Sequence, residues 1–415
     1  MIKLISLGCK VNSYENNALK ELFLLNGFSD KDKQDIVIIN TCSVTAVADQ
    51  KSRQIIRREK RKNPNAIICV MGCYAQKNAD YIQKECGADI IVGTSNRNKI
   101  VDFVKQFIKY KKPIIAVDKD PRKFKYESFK TIAIPNSTRA YVKVEDGCNN
   151  FCSYCTIPYT RGVARSRDKD EIIKEISTLV DNGFNEVVIT GIHTAHYGLD
   201  NNGTSFSDLI EEICNIPNLY RIRISSIEES EIDDKFINLL KKYPQIANHL
   251  HMPLQSGSPS VLKRMCRKYN VQDFINKVNR IREVRPDIAI TTDVIVGFPG
   301  ESEEEFLETY NFIKEVNFSE LHVFPFSARE GTKAAQMDNQ ISPSVKAKRV
   351  DSLINLSNEL QSKYRSLFIG KELEVILEER NKTTGLLSGF TSNYLKLEAD
   401  LSDKYIGTIQ KIIVR

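Results

Sequence analysis

Short, almost wholly apolar runs at Ile2 to Leu7, Asp35 to Asn40, Ala66 to Met71, Asp89 to Val92 and Pro113 to Val117 are separated by segments with helical periodicity. Runs of this kind are strands buried on both faces, and their alternation with helices predicts a parallel sheet covered by helices on both sides. Pro121 to Ser137 is polar and charged, contains two prolines, and reads as a linker. The alternation then resumes, with strands expected at Arg139 to Val144, Glu186 to Thr190, Leu219 to Ser225, His249 to Pro253, Ile288 to Val296 and Glu320 to Pro325. About six strand-helix units predict an incomplete barrel, smaller than the roughly 250 residues of the closed eight-fold form, with catalytic loops at the carboxyl ends of the strands. Ser342 to Ser366 predicts a long helix leaving the barrel. Short strands follow at Glu372 to Glu378, Gly385 to Thr391, Tyr394 to Glu398 and Ile406 to Val414, a small all-β module. The expected class is therefore α/β, with a sheet domain over 1–120, a linker over 121–137, a partial barrel over 138–366 and a β module over 367–415.

Composition adds limits to that picture. A chain of 415 residues is expected to form two or three domains, and 41% hydrophobic with 27% charged residues is ordinary globular composition. No apolar run approaches the roughly 20 residues of a membrane-spanning helix, and Met1 to Gly8 begins as a strand rather than as a signal peptide. A soluble cytoplasmic protein is expected, in which the ten cysteines serve metal binding or catalysis rather than disulfides. The net charge of +7 is mild, but Lys51 to Lys62 carries seven basic residues and one acidic. On a helix Arg53, Arg57, Lys60 and Arg61 share a face, which is either a solvated surface or a phosphate contact. Basic groups recur at Lys105 to Lys112, Arg122 to Lys125 and Arg161 to Arg167, which favours phosphate binding.

Six cysteines carry the chemistry. Cys148, Cys152 and Cys155 lie in one loop directly after a strand, and three thiolates suit a metal centre that keeps a position open for a substrate or cofactor. The competing readings are a structural zinc site completed by His193 or His196, or free thiols. Cys9, Cys42 and Cys73 each follow one of the first three strands, so a parallel sheet would place all three at its ligand-binding edge. Cys69, inside an apolar strand, and Cys86, near a helix end, read as packing residues.

The motifs Leu7-Gly8-Cys9-Lys10-Val11-Asn12, Asn40-Thr41-Cys42, Gly72-Cys73-Tyr74, Gly147 to Cys155, Ile157 to Gly162 and Val296 to Glu301 together resemble the methylthiotransferase family of radical S-adenosylmethionine enzymes. The resemblance covers essentially the whole chain. It implies a 4Fe-4S cluster on Cys148, Cys152 and Cys155 that cleaves S-adenosylmethionine to a radical. It also implies a second 4Fe-4S cluster on Cys9, Cys42 and Cys73 that presents the sulfur, and a C-terminal TRAM module related to oligonucleotide-binding folds. S-adenosylmethionine would serve as methyl donor and as radical source, with an electron donor such as flavodoxin or ferredoxin. Family targets are isopentenyladenosine in tRNA, threonylcarbamoyladenosine in tRNA or an aspartate of a ribosomal protein. The wording around Cys9, Cys42 and Cys148 looks most like the branch acting on threonylcarbamoyladenosine at position 37, in the tRNA anticodon stem-loop. A non-catalytic RNA-binding protein with a structural metal is the alternative of another class.

Further positions are expected around this chemistry. Phe151 and Tyr154 either pack against the cofactor's adenine or shield the cluster. Gly191, Ser225 and Gln255 end barrel strands and are candidates for the cofactor pocket, as are Gly297 and Glu301 in a glycine-acid turn. Arg161 suits a cofactor carboxylate or an RNA phosphate, with a structural ion pair as the alternative. Between Lys371 and Arg415 seven basic residues face seven acidic ones, so RNA contact there would rest on Phe390 and Tyr394, and otherwise on Arg53, Arg57 and Arg61.

Overall fold

The computed structural model describes residues 2–29, 35–129, 132, 137–200 and 203–415. Five strands, β1 (Ile2–Ser6), β2 (Ile36–Thr41), β3 (Ile67–Gly72), β4 (Ile90–Val92) and β5 (Ile114–Ala116), form one parallel sheet in chain order. Side chains alternate across it. Ile36, Ile38, Ile67, Cys69 and Ile90 meet helices α1 (Lys10–Leu25) and α4 (Ile100–Tyr110) on one face. Val37, Ile39, Ile68, Val70 and Ile91 meet α2 (Ala46–Lys62) and α3 (Cys73–Cys86) on the other. Both faces are dry, which is why these strands read as unbroken apolar runs. The register sets Ser6 beside Asn40 and Asn40 beside Met71, so the segments bearing Cys9, Cys42 and Cys73 leave the sheet at a common edge. Cys69 and Cys86 are buried in the two cores, as their sequence context predicts.

The expected linker falls partly outside the described residues, at 130, 131 and 133–136. Its described part is packed: Phe129 is buried in the sheet core, and Glu127 pairs with Arg97 at 2.6 Å.

The second region begins with β6 (Arg139–Lys143). A two-residue ribbon follows, β7 (Glu145–Asp146) antiparallel to β8 (Arg165–Ser166), with the short helix α5 (Ile157–Thr160) in its loop. Then come α6 (Lys169–Asp181), β9 (Glu186–Thr190), α7 (Phe206–Cys214), β10 (Arg221–Ile224), α8 (Asp234–Lys242) and β11 (His249–His251). After α9 (Pro259–Arg264) and α10 (Val271–Val284), β12 (Ala289–Val296), α11 (Glu303–Val316) and β13 (Glu320–Pro325) complete it. Strands β6, β9 and β10 form one parallel sheet and β11, β12 and β13 another, joined by a parallel bridge between Ile222 and Ile246. The result is a six-stranded open barrel. Val142, Val187, Ile189, Ile222, Ile224, Leu250 and Ile290 point outward into the main hydrophobic core. The alternate positions, among them Arg139, Glu186, Arg223, His251 and Asp293, face the lumen, because successive strand residues point to opposite faces.

Helix α12 (Pro343–Ser366) lays Leu353, Leu356 and Leu360 on the barrel core and leads into a four-stranded antiparallel sheet. Its strands are β14 (Glu372–Arg380), β15 (Leu387–Thr391), β16 (Lys396–Ala399) and β17 (Ile409–Ile413), ordered β16-β15-β14-β17. This sheet covers the amino ends of the barrel strands. Arg223 donates to the carbonyls of Thr391 and Ser392, and Asn185 donates to that of Gly407. Among the described residues no helix is long and apolar enough to cross a membrane.

Candidate active site

The loop from Gly147 to Ala164 is pinned at its base by the β7-β8 ribbon, where Asp146 pairs with Arg165. Gly147 has φ +96°, and a Cβ there would collide with the carbonyl of Val163, so only glycine closes the loop. Cys148, Cys152 and Cys155 line one cavity of about 240 Å³ at the carboxyl ends of the barrel strands, together with Asn150, Tyr154, Glu228, Gln255, Arg267 and Asp293. Burial pushes the Cys148 thiol up and the Cys155 thiol to about 12, so without a cation these sulfurs hold their protons. A bound metal centre supplies the charge that removes them. Arg267 donates to Cys152 Sγ at 3.3 Å and pairs with Glu228 at 2.6 Å. His193 and that guanidinium hold the Glu228 carboxyl at about 2, against its burial, so Glu228 presents a negative charge to the cavity.

The second triad is assembled from three strand ends. Cys9 caps the start of α1, Cys73 begins α3, and Cys42 lies between β2 and α2. The amino ends of helices favour thiolates and anionic groups. Gly8, at φ +107°, lets the first loop pass Cys42: a Cβ there would lie 2.6 Å from Cys42 Cβ. Asn12 ties two loops together by donating to the carbonyls of Leu7 (2.7 Å) and Thr41 (3.3 Å). Thr41 donates to the Met71 carbonyl at 2.6 Å, which fixes the approach to Cys73. Burial raises the Cys42 thiol to about 12 and also pushes Cys9 up.

The triads are neighbours. Cys73 lies within electrostatic reach of Cys155, and Arg161, six residues past Cys155, donates to Cys73 Sγ at 3.3 Å. Arg161 is fully buried and also binds Glu15 (2.9 Å), Asp146 (3.1 Å) and Asn12 (3.0 Å). Glu15 in turn pairs with Arg97, which also holds Glu127, and Asp146 pairs with Lys143 at 3.0 Å and Arg165 at 3.7 Å, making a seven-charge network between sheet and barrel. Burial opposes charge on Glu15, but Arg161, Arg97 and Lys143 outweigh it and hold its carboxyl well below the usual range. On the other side of the barrel's opening, Arg329 after β13 binds Asp49 and donates to Ser43 Oγ at 3.0 Å, next to Cys42. The sheet domain thus spans the mouth of the barrel.

Among the described residues, the sets of three or more His, Cys, Asp or Glu with ligand atoms all within 4.8 Å are His193, His196, Glu231 and His251, Asp293, His322. Neither cysteine triad is so tight, whereas thiolates on one zinc at about 2.3 Å would stand about 3.8 Å apart. His193 lines the cavity but is held by Glu228 and Glu231, each at 3.2 Å.

The other expected residues divide. Tyr154 and Gln255 line the cavity, while Gly191 and Ser225 stand beside its wall residues Ile192 and Ser226. Phe151 is 48% exposed and meets Tyr159 edge-on, outside the cavity wall. Glu301 is buried, accepting from the Gly297 amide and from Arg349, both at 2.6 Å. That turn acts at one remove: it sets Phe298 edge-on to Tyr154 at 6.5 Å. Of the readings for Arg161, a cofactor carboxylate, an RNA phosphate or a structural ion pair, the structure shows the ion pair: it is the buried bridge described above, because its run of charges folds inward against Glu15. Arg53 and Arg57 lean on α3 through the hydroxyls of Tyr74 (3.2 Å) and Tyr81 (3.1 Å), and Arg61 is exposed. Phe390 stacks on Tyr394, which stacks on His249 at 4.5 Å, so both rings are part of the joint with the barrel. Their free edges line a groove of about 570 Å³ with His322, Arg365 and Lys396. Sequence reasoning missed Asn150, Glu228, Arg267 and Asp293. Asp293, a lone acid within the apolar run of β12, was the visible signal.

The chain matches the Radical SAM superfamily over residues 142–313 and the Uncharacterized protein family UPF0004 over residues 1–93. It is 47% identical over 98% of its length, and 92% of the relative's, to the threonylcarbamoyladenosine tRNA methylthiotransferase MtaB of Bacillus subtilis (strain 168). It is 35% identical, over 96% of its length and 85% of the relative's, to a tRNA-2-methylthio-N(6)-dimethylallyladenosine synthase of Acetivibrio thermocellus. In fold it is similar to the radical S-adenosylmethionine methyltransferase TsrM from Kitasatospora setae (TM-score 0.60, 14% identity, 80% of this chain and 73% of that one). The chain belongs to the tRNA methylthiotransferase family, within the radical S-adenosylmethionine superfamily.

Proposed function

We propose that this enzyme adds a methylthio group to C2 of N6-threonylcarbamoyladenosine at position 37 of tRNA, beside the anticodon, in the cytoplasm. The observation that carries the reading is the pair of open cysteine triads at the mouth of one barrel, in a chain nearer to a threonylcarbamoyladenosine enzyme (47%) than to a dimethylallyladenosine one (35%). Cys148, Cys152 and Cys155 would hold one 4Fe-4S cluster and Cys9, Cys42 and Cys73 another. With S-adenosylmethionine and an electron from a flavodoxin or ferredoxin, these groups supply the radical chemistry that an unactivated C-H bond requires. The protein's part is placement. Arg267 and Arg161 each set a hydrogen bond on one sulfur of a triad, Glu228 and Asp293 offer carboxylates to polar groups of the cofactor, and Tyr154 packs the wall between cysteines. Residues 1–120 would present sulfur, 138–366 would generate the radical and 367–415 would brace the barrel floor, with 121–137 joining the first two.

The test is anaerobic reconstitution with iron and sulfide, then incubation with S-adenosylmethionine, reductant and tRNA bearing either the threonylcarbamoyl or the isopentenyl group. Nucleoside mass spectrometry should find the 2-methylthio product on the first tRNA alone. Modification of the isopentenyl tRNA instead would overturn the substrate while leaving the reaction type.

A further inference from the structure

The turn that follows β9 brings two histidines together. The His196 amide donates to the His193 carbonyl at 2.8 Å, and the His193 amide donates to Glu145, also at 2.8 Å, so the two imidazole centroids stand 3.6 Å apart. Glu231, in the turn after β10, reaches the same place. Its Oε1 lies 3.2 Å from His193 Nδ1 and 3.2 Å from His196 Nε2, and the ligand atoms of the three residues all stand within 4.8 Å of one another. No cysteine belongs to this set.

The close approaches are not aligned as hydrogen bonds. Among the described residues, His193 Nδ1, His196 Nδ1 and Glu231 Oε2 are buried with no hydrogen-bond partner. Buried polar atoms are almost always paired, so several unpaired ones gathered at one point mark a place that a further group completes. Protons fill it poorly, because charging both rings would set two imidazoliums against each other at 3.6 Å. A divalent metal ion fits. Nitrogen and oxygen ligands about 2.0–2.1 Å from a tetrahedral zinc stand about 3.4 Å apart, close to the 3.2 Å separations here. Two imidazoles and a carboxylate suit zinc or iron(II), whereas magnesium and calcium take oxygen ligands. His193 also has the outer partners that orient a metal-bound imidazole, since its Nε2 lies 3.2 Å from both Glu228 and Asn150.

We propose that His193, His196 and Glu231 form a metal site, separate from both cysteine triads, that takes a divalent ion of the zinc type. His193 and Glu231 line the cavity of Cys148, Cys152 and Cys155, so the ion ties the turns after β9 and β10 into one wall of that cavity. Three protein ligands leave a fourth position for water.

The test uses the enzyme with its clusters reconstituted, cleared of loose iron by brief chelation and gel filtration, then given zinc chloride and filtered again. X-ray absorption at the zinc edge reads zinc alone in the presence of iron. The expected result is one retained equivalent with nitrogen and oxygen neighbours at about 2.0–2.1 Å and no sulfur. A sulfur shell at about 2.3 Å would put the zinc on cysteines, and zinc lost on filtration would leave the histidines with protons only; either result overturns the site. His196→Gln and Glu231→Gln should each weaken zinc binding by more than the roughly 10- to 100-fold typical of losing an outer partner. Both should also abolish the rise in melting temperature that zinc gives the parent. A variant with the parent's iron content that still binds zinc as the parent does would overturn the assignment of these ligands. If neither variant keeps that iron content, the parent's spectrum decides alone.

Discussion

Cys148, Cys152 and Cys155 are spaced along one short loop, whereas Cys9, Cys42 and Cys73 come from three strand ends that lie 64 residues apart from first to last. Each triad has one arginine 3.3 Å from one of its sulfurs, Arg267 for the first and Arg161 for the second. The surroundings of those arginines differ. Arg267 has one carboxylate partner, Glu228, within the barrel, while Arg161 sits in a buried network contributed by both domains. A site held by local sequence depends on its own loop. A site gathered by tertiary structure depends on the sheet register and on the buried charges that lock sheet to barrel.

Replacing Cys148, Cys152 and Cys155 with alanine should have the largest effect, abolishing 5'-deoxyadenosine formation and removing about half the iron. Unchanged iron content would end the case for a cluster there. Next is Arg161→Met, which removes the cation that joins Glu15, Asp146 and Asn12 within the buried network. It should cost about 3–5 kcal/mol in denaturant unfolding, as loss of one member of a buried charged set does, and should lower iron retention. Arg267→Met should be milder, about 1–3 kcal/mol, because Glu228 still has His193 beside it. Equal losses for the two arginines would erase the distinction between a local and an assembled site. The smallest effect is expected from neutralising Arg53, Arg57 and Arg61 together. Since two of them are held by tyrosine hydroxyls, the log-log salt slope of tRNA binding should fall by only about 1.

This contrast also explains what was legible in the chain. Strands buried on both faces announce themselves as apolar runs, so every strand of the sheet and the barrel could be placed to within a few residues. The loop triad was visible from its spacing, and the strand-end triad once the strands had been placed. Partnerships made across the fold left no such trace. Arg161 sits in a basic run that resembles an RNA contact, and only the docking of Glu15, 146 residues earlier, makes it a buried bridge. Glu301 resembles a nucleoside ligand until Arg349, one helix later, claims its carboxylate. Phe390 and Tyr394 lie in a module of the oligonucleotide-binding kind, yet the stack on His249 turns them toward the barrel floor.

The central claim is that the two triads divide the work, one making the radical and the other presenting sulfur. The most direct test is the variant with Cys9, Cys42 and Cys73 all replaced by alanine, supplied with S-adenosylmethionine, reductant and threonylcarbamoylated tRNA, with both products followed by mass spectrometry. Continued formation of 5'-deoxyadenosine with no 2-methylthio nucleoside is the predicted result; a variant that still methylthiolates the tRNA would contradict it.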